Sequence, residues 1–206
     1  GSDSLAIVNY NLALKRDSSQ YQILDEISKS YKKQKKYDLS LQYSEAYIKK
    51  KPNVSTSDYF NLGIAYYSTA NSLNSKKDSL KMNDAKADSI KQLGYFVLAD
   101  SLFSKVEKYS PNSYLGPFWR GRVNSVIDKE TTLGLAKPHY EKALITLVKD
   151  SIKYKKEVSE IYSYLGFYYY VKEDKPASIE YWKKLLELDP ENAKAAEALK
   201  SLENKK

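Results

Sequence analysis

Apolar residues recur along this chain at spacings of three and four, and the stripes fall in pairs. From Ser159 to Pro190 one stripe carries Tyr162, Leu165, Gly166 and Tyr169, and a second carries Ser178, Trp182 and Leu185 before the proline. Such spacing places apolar side chains on one face of a helix. The segment therefore predicts two amphipathic helices joined by a short turn.

The same plan returns elsewhere. Tyr59, Leu62, Gly63 and Tyr66 match the first helix, and Ala99, Phe103, Val106 and Pro111 match the second. Leu24, Ile27, Ser28 and Tyr31 form another first helix, with Ser40, Tyr47 and Pro52 in its partner. Gly121 opens a further pair, continued by Ala136, Tyr140 and Ala143. Ala6, Tyr10 and Ala13 read as the second helix of a truncated unit, and Ser40 follows Ala6 by 34 residues. The expected architecture is all-α, a solenoid of antiparallel helix pairs over residues 3–206. Within it fall a truncated helix at 3–18, repeats at 21–52, 56–111, 114–148 and 159–190, and a capping helix at 191–204.

Small residues have a physical task in this plan. Helices in a tight hairpin approach closely only where a small side chain faces the crossing, as expected for Gly63 with Ala99 and Gly166 with Ser178. Asp189-Pro190 and Ser110-Pro111 are expected to cap helices that begin at the prolines. The last stretch keeps a narrow stripe of Ala195, Leu199 and Leu202, as a terminal helix with one wet face should. Residues between Tyr67 and Ala99 exceed one repeat. Leu93, Phe96 and Val97 predict that the second helix there starts early, with a loop at Asn71–Lys77. Lys149–Glu157 is expected to be a basic connection.

On these residues the chain resembles the tetratricopeptide-repeat (TPR) family. The segments Ala99–Val106, Phe118–Arg122 and Gly134–Ala143 are similar to repeat arrays of bacterial cell-envelope proteins. The resemblance implies a non-catalytic scaffold that takes a peptide or protein segment in a concave groove, as part of a larger bacterial protein. It also implies groove positions: Lys29, Lys32, Phe60, Asn61, Ile64, Tyr67, Phe118, Arg122, Ser125, Ser163, Phe167 and Tyr170. In this picture Arg122 pairs with a partner carboxylate or stacks on Phe118. A clamp for a peptide C-terminus is not expected, because Asp25 and Trp119 stand where basic or amide groups are needed and Asn61 alone matches.

Composition narrows the alternatives. Among 206 residues there are 20 Tyr, no Cys and one His, His139, with a net charge of +8. Absent cysteine removes disulfides and thiolate chemistry, and one histidine removes metal sites built on several. No cofactor or metal is expected. His139, in the first turn of a helix, reads as exposed. Gly134 and Gly94 are isolated and form no phosphate-binding loop. Asp150, Glu157 and Glu160 read as surface ion pairs with lysines.

Lysine clusters at Lys29–Lys36 and Lys49–Lys51 raise a rival reading, nucleic-acid binding through phosphates and stacked tyrosines. Against it, most tyrosines occupy packing positions. Self-association through the edge at Ala6–Ala13 is a third reading. Gly1-Ser2 reads as a cloning remnant, and helical patterning from Asp3 implies that the chain begins inside a longer protein. The resemblance and the absent cysteines favour a periplasmic or envelope location over the cytoplasm. No stretch approaches the ~20 apolar residues of a membrane-spanning helix.

Overall fold

Paired apolar stripes become paired helices. The computed structural model describes residues 2–74 and 82–204. The helices are α1 (Ser2–Arg16), α2 (Gln22–Lys33), α3 (Tyr37–Lys50), α4 (Thr56–Asn74), α5 (Met82–Tyr109), α6 (Leu115–Ile127), α7 (Lys137–Leu147), α8 (Lys155–Val171), α9 (Lys175–Leu188) and α10 (Ala193–Asn204). No strand occurs among the described residues. Each helix packs chiefly on its sequence neighbours, as expected when a helix pair buries one face internally and one on the next pair. The contacts divide the chain into two compact units, one ending at Tyr109 and one beginning at Ser110.

In the first unit Leu41, Leu62, Ala65 and Leu102 form a buried cluster, flanked by Ile48, Tyr59, Tyr66 and Tyr95. Lys32 and Lys33 lie in the last turn of α2, and Lys49 and Lys50 in that of α3. Much of the lysine clustering thus complements the negative ends of helix dipoles. The N-terminus of α4 is held by a reciprocal cap: Asp58 N–H donates to Ser55 Oγ, and Ser55 N–H donates to Asp58 Oδ2 at 2.7 Å. Thr69 is fully buried and its hydroxyl donates back to Ala65 O.

The long insertion resolves differently from the expectation at its start. Asn71–Asn74 are helical rather than loop, while Ser75–Lys77 lie outside the described residues. Ala70 and Leu73 are buried, and Gln92 Nε2 donates to Ala70 O at 2.8 Å. The early start of α5, over 28 residues, supplies the surface on which the extra turns of α4 pack.

In the second unit Phe118, Ala136, Tyr140, Ala143, Leu147, Val158, Ile161 and Leu165 make one core. Trp182, Leu185, Ala195, Leu199 and Leu202 make another under α10. The caps differ from the expectation. Ser113 Oγ, not Ser110, accepts the Leu115 N–H of α6, and Asn192 Oδ1, not Asp189, accepts the Ala195 N–H of α10. Pro111 and Pro190 therefore sit in the turns before the helices. Most of Lys149–Glu157 is not an open connection either. A 3-10 turn at Val148–Asp150 continues α7, and α8 begins at Lys155.

The loop between α6 and α7 folds around Asp128, which is buried. Its Oδ2 accepts the N–H groups of Leu133 at 3.0 Å and Gly134 at 2.7 Å. Gly134 has a left-handed backbone (φ +71). Converging N–H groups of this kind attract an anion, and here the chain's own carboxylate fills the place.

Candidate partner-binding groove

The residues expected to line a groove have different fates in the two units. In the first, Lys29 is exposed and bonded along its own helix, to Asp25 at 2.7 Å and Glu26 at 2.8 Å. Lys32 and Asn61 are exposed, and Phe60, Ile64 and Tyr67 are half-buried. Phe60 packs against Phe103 with centroids 5.8 Å apart, and Tyr67 against Phe96 at 5.8 Å. These two rings brace α4 on α5.

In the second unit Phe118 is core, only 2% exposed. Arg122 does stack on it, its guanidinium carbon 4.6 Å from the ring and 4.7 Å from that of Trp119. The carboxylate that Arg122 was expected to find on a partner is Glu160 of α8. Arg122 Nε donates to Oε1 at 2.8 Å and Nη2 to Oε2 at 2.5 Å, a two-pronged pair that only a planar guanidinium makes. Tyr140 Oη donates to the same carboxylate at 2.8 Å. Burial, with the Glu160 charge beside it, holds the Tyr140 phenol well above its usual range. Glu160 is thus an internal hub rather than a surface partner of lysines. Ser125 Oγ turns back to Arg122 O at 2.9 Å. His139 is half-buried and holds interactions of its own.

Phe167 and Tyr170 behave as the groove reading requires. They are 37% and 42% exposed, and their rings stack with centroids 6.3 Å apart and an interplanar angle of 28°. The one-sided pattern of α8 explains this. Ile161, Leu165 and Gly166 face the core, so the residue after Gly166 and the one three further on must face outward. These rings border a hollow of about 240 Å³ that is also lined by Trp182 of α9 and by Lys194, Ala198 and Leu202 of α10. Tyr170 and Leu202 also border a neighbouring hollow of about 390 Å³, with Val171, Glu173 and Lys175.

The position of Trp182 follows from Gly166. A Cβ on that glycine would stand 2.6 Å from Trp182 Cε2, so the bare backbone is what admits the indole. Ser178 Oγ donates to Gly166 O at 2.8 Å and fixes the same crossing. Lys194 closes one side of the hollow. Its Nζ lies 5.7 Å from the Trp182 ring centroid and donates to Ser163 Oγ at 2.9 Å. Ser163, another expected groove residue, is therefore tied to the rim. The contributions of Trp182, Lys194, Ala198 and Leu202 were missed in sequence, where α10 read as a cap alone; the stripe of Ala195, Leu199 and Leu202 was the available signal.

The arrangement offers aromatic and aliphatic surface with a lysine at the edge. Among the described residues no group of three or more His, Asp and Glu side chains stands close enough to hold a metal ion. Among the described residues no helix is long and apolar enough to cross a membrane.

Comparison with known proteins agrees with the paired-helix fold. The model of the tetratricopeptide repeat matches residues 159–192, the α8–α9 hairpin. The chain is similar to the C-terminal part of a TPR repeat-containing protein from Cytophaga hutchinsonii, with 34% identity over 97% of this chain and 67% of that one, at a TM-score of 0.77. It also resembles YrrB, a TPR protein with an unusual peptide-binding site, at 15% identity, TM-score 0.66 and coverage of 97% and 84%. A third likeness is to MamA from Desulfovibrio magneticus RS-1, at 22% identity, TM-score 0.61 and coverage of 88% and 82%. No curated protein matches the chain.

Proposed function

Because this chain belongs to the tetratricopeptide-repeat family, we propose that it is a non-catalytic scaffold whose hollow at α8, α9 and α10 receives a segment of a protein partner. The observation that carries this reading is the exposed Phe167–Tyr170 stack beside the Trp182 hollow. Exposed aromatic side chains next to a concavity are the usual energetic centres of protein interfaces. They supply large contact area with few rotatable bonds to immobilise. The occupant is an extended or helical segment bearing an apolar side chain that fills the hollow. YrrB supports a peptide in such a fold, since it is described with a peptide-binding site.

The reading gives Lys29, Lys32, Phe60, Asn61, Ile64 and Tyr67 no share in gripping that segment, because Phe60 and Tyr67 already brace α5 and Lys29 is ion-paired. Panning a displayed random-peptide library on the full chain tests it. Enriched peptides should share an apolar anchor and bind the Phe167→Ala/Tyr170→Ala variant about tenfold or more weakly. They should bind Tyr67→Ala as they bind the parent. Equal binding to the double variant would overturn the proposal. Binding that falls steeply with salt and ignores both substitutions would point to the lysines and revive nucleic-acid recognition.

A further inference from the structure

An amphipathic helix needs one apolar face, and the end of α7 with the turns after it also carries aliphatic side chains in water. Tyr140, Ala143 and Leu147 are buried in the core. Ile145, Val148 and Ile152 are 68%, 45% and 86% exposed. They recur at i, i+3 and i+7. Ile145 lies in α7 and Val148 opens the 3-10 turn three residues on, so these two share an outer face, and Ile152 projects from the turn before α8. Tyr140, Ala143 and Leu147 already hold the inner face. An aliphatic side chain held 86% in water on an ordered turn gains nothing for folding.

Lysines outnumber carboxylates around these side chains. Residues 141–157 hold Lys142, Lys149, Lys153, Lys155 and Lys156 against Glu141, Asp150 and Glu157, and Glu187 of α9 lines the hollow that Ile152 borders. Lys155 is engaged by Asp189 at 2.8 Å. Lys149, Lys153 and Lys156 are exposed, and Lys149 directly follows Val148 in the 3-10 turn. Aliphatic side chains that project singly between lysines fit a surface that is apolar below and anionic above. A bilayer meets that demand without any matching contour, whereas an acidic protein would have to supply one.

We infer that the outer face of α7 and the turn after it form a docking surface for a bilayer containing anionic lipid. The isoleucines enter the boundary between headgroups and acyl chains, and the lysines lie against the headgroup phosphates. This face involves none of the groove residues.

Flotation of the full chain with lipid vesicles tests the inference. One set is phosphatidylcholine alone; the other is three parts phosphatidylcholine to one part phosphatidylglycerol. The parent chain should float with the anionic vesicles and not with the neutral ones, and added salt should release it. Ile145→Ser/Ile152→Ser leaves every charge in place and alters only exposed side chains, so helicity and thermal unfolding should match the parent. That variant should bind the anionic vesicles about tenfold or more weakly. Lys149→Gln/Lys153→Gln should weaken binding as well. Failure of the parent to float overturns the inference. So does a serine variant that floats as well as the parent, since adsorption would then be a matter of net charge alone. Soluble polyglutamate that strips parent and serine variant from vesicles at the same concentration would assign the surface to an acidic chain instead.

Discussion

The hydroxyl of Ser28 lies 2.7 Å from the hydroxyl of Ser44, at the place where the later helix pairs set a glycine against an aromatic ring. Gly63 meets Phe103, Gly121 meets Tyr140 and Gly166 meets Trp182. Each ring follows a small residue, Ala99, Ala136 or Ser178, by four positions, as Ser44 follows Ser40. Where the ring is absent the glycine is absent too, and Ser28 Oγ instead lies 2.8 Å from Ser40 O and 3.1 Å from Ser40 Oγ. Position 28 and position 44 are therefore matched as a pair. Ser44→Phe alone should cost about 1–3 kcal/mol, because the ring meets the Ser28 side chain. Adding Ser28→Gly should recover about 1 kcal/mol or more of that loss. Urea unfolding of the parent, both single variants and the double variant measures the coupling, and additive effects would contradict the pairing.

The glycines of the chain should respond to alanine with opposite signs. At Gly63 a Cβ would lie 2.7 Å from Phe103 Cε1, a ring with no exposed surface, and at Gly166 it would lie 2.6 Å from Trp182. Neither ring has room to retreat, so Gly63→Ala and Gly166→Ala should each destabilise by about 1–3 kcal/mol. Gly94 is also helical, but nothing stands within 4 Å of its added Cβ. There the better helix propensity of alanine should act alone, and Gly94→Ala should stabilise by about 1 kcal/mol. Chemical unfolding midpoints compared among the three variants check the signs.

The chain showed much of this in its sequence and hid the rest for a physical reason. Gly63, Gly121 and Gly166 announce helix crossings because nothing else explains a glycine inside an apolar helical stripe. Ala99 and Ser178 were expected opposite Gly63 and Gly166, with large side chains three or four places along filling the flanking space; Ser178 does reach Gly166 O, and Phe103 and Trp182 are those large side chains. Phe167 and Tyr170 were legible as outward-facing because Gly166 fixes the inner side of α8. Trp182, Lys194 and Leu202 were not, because their part in the hollow depends on where α10 docks. Arg122 misled for the same reason. Its carboxylate lies in another helix, 38 residues on, and no periodicity reports a pair at that range.

Asp58 makes the first unit sensitive to acid. It is buried, and burial raises the pKa of its carboxyl. The Lys51 ammonium at 2.7 Å and the Ser55 hydroxyl and backbone N–H outweigh that effect and hold it below its usual 3.8. A carboxyl whose folded pKa lies below its unfolded value contributes stability above the unfolded value, near 4, and loses it as pH falls through the folded value. Asp58→Asn should therefore lower the melting temperature at neutral pH, through loss of the ion pair and part of the α4 cap. The gap between parent and variant should close as pH drops below about 4. Melting curves from neutral pH downward test this; a constant gap would show that the charge of Asp58 is not what stabilises the cap.

Glu160 joins α6, α7 and α8 through the Arg122 guanidinium and the Tyr140 phenol. Side chains of the ion pair are each 31% exposed, so water screens the pair only in part. Removing the carboxylate takes a charged acceptor from a half-buried cation and from a buried hydroxyl, and losing such an acceptor in place costs more than the net worth of the bond. Glu160→Ala should destabilise by about 2–3 kcal/mol. Glu160→Gln keeps an acceptor for Tyr140 and should cost less. Arg122→Ala removes the stacked plane over Phe118 and Trp119 as well as the charge. The double variant Arg122→Ala/Glu160→Ala should then lose less than the two single losses combined, with a coupling of about 1–2 kcal/mol. Peptides selected on the groove at Phe167 should bind Arg122→Ala unchanged wherever it remains folded. A loss of binding with full retention of stability would return Arg122 to the partner surface.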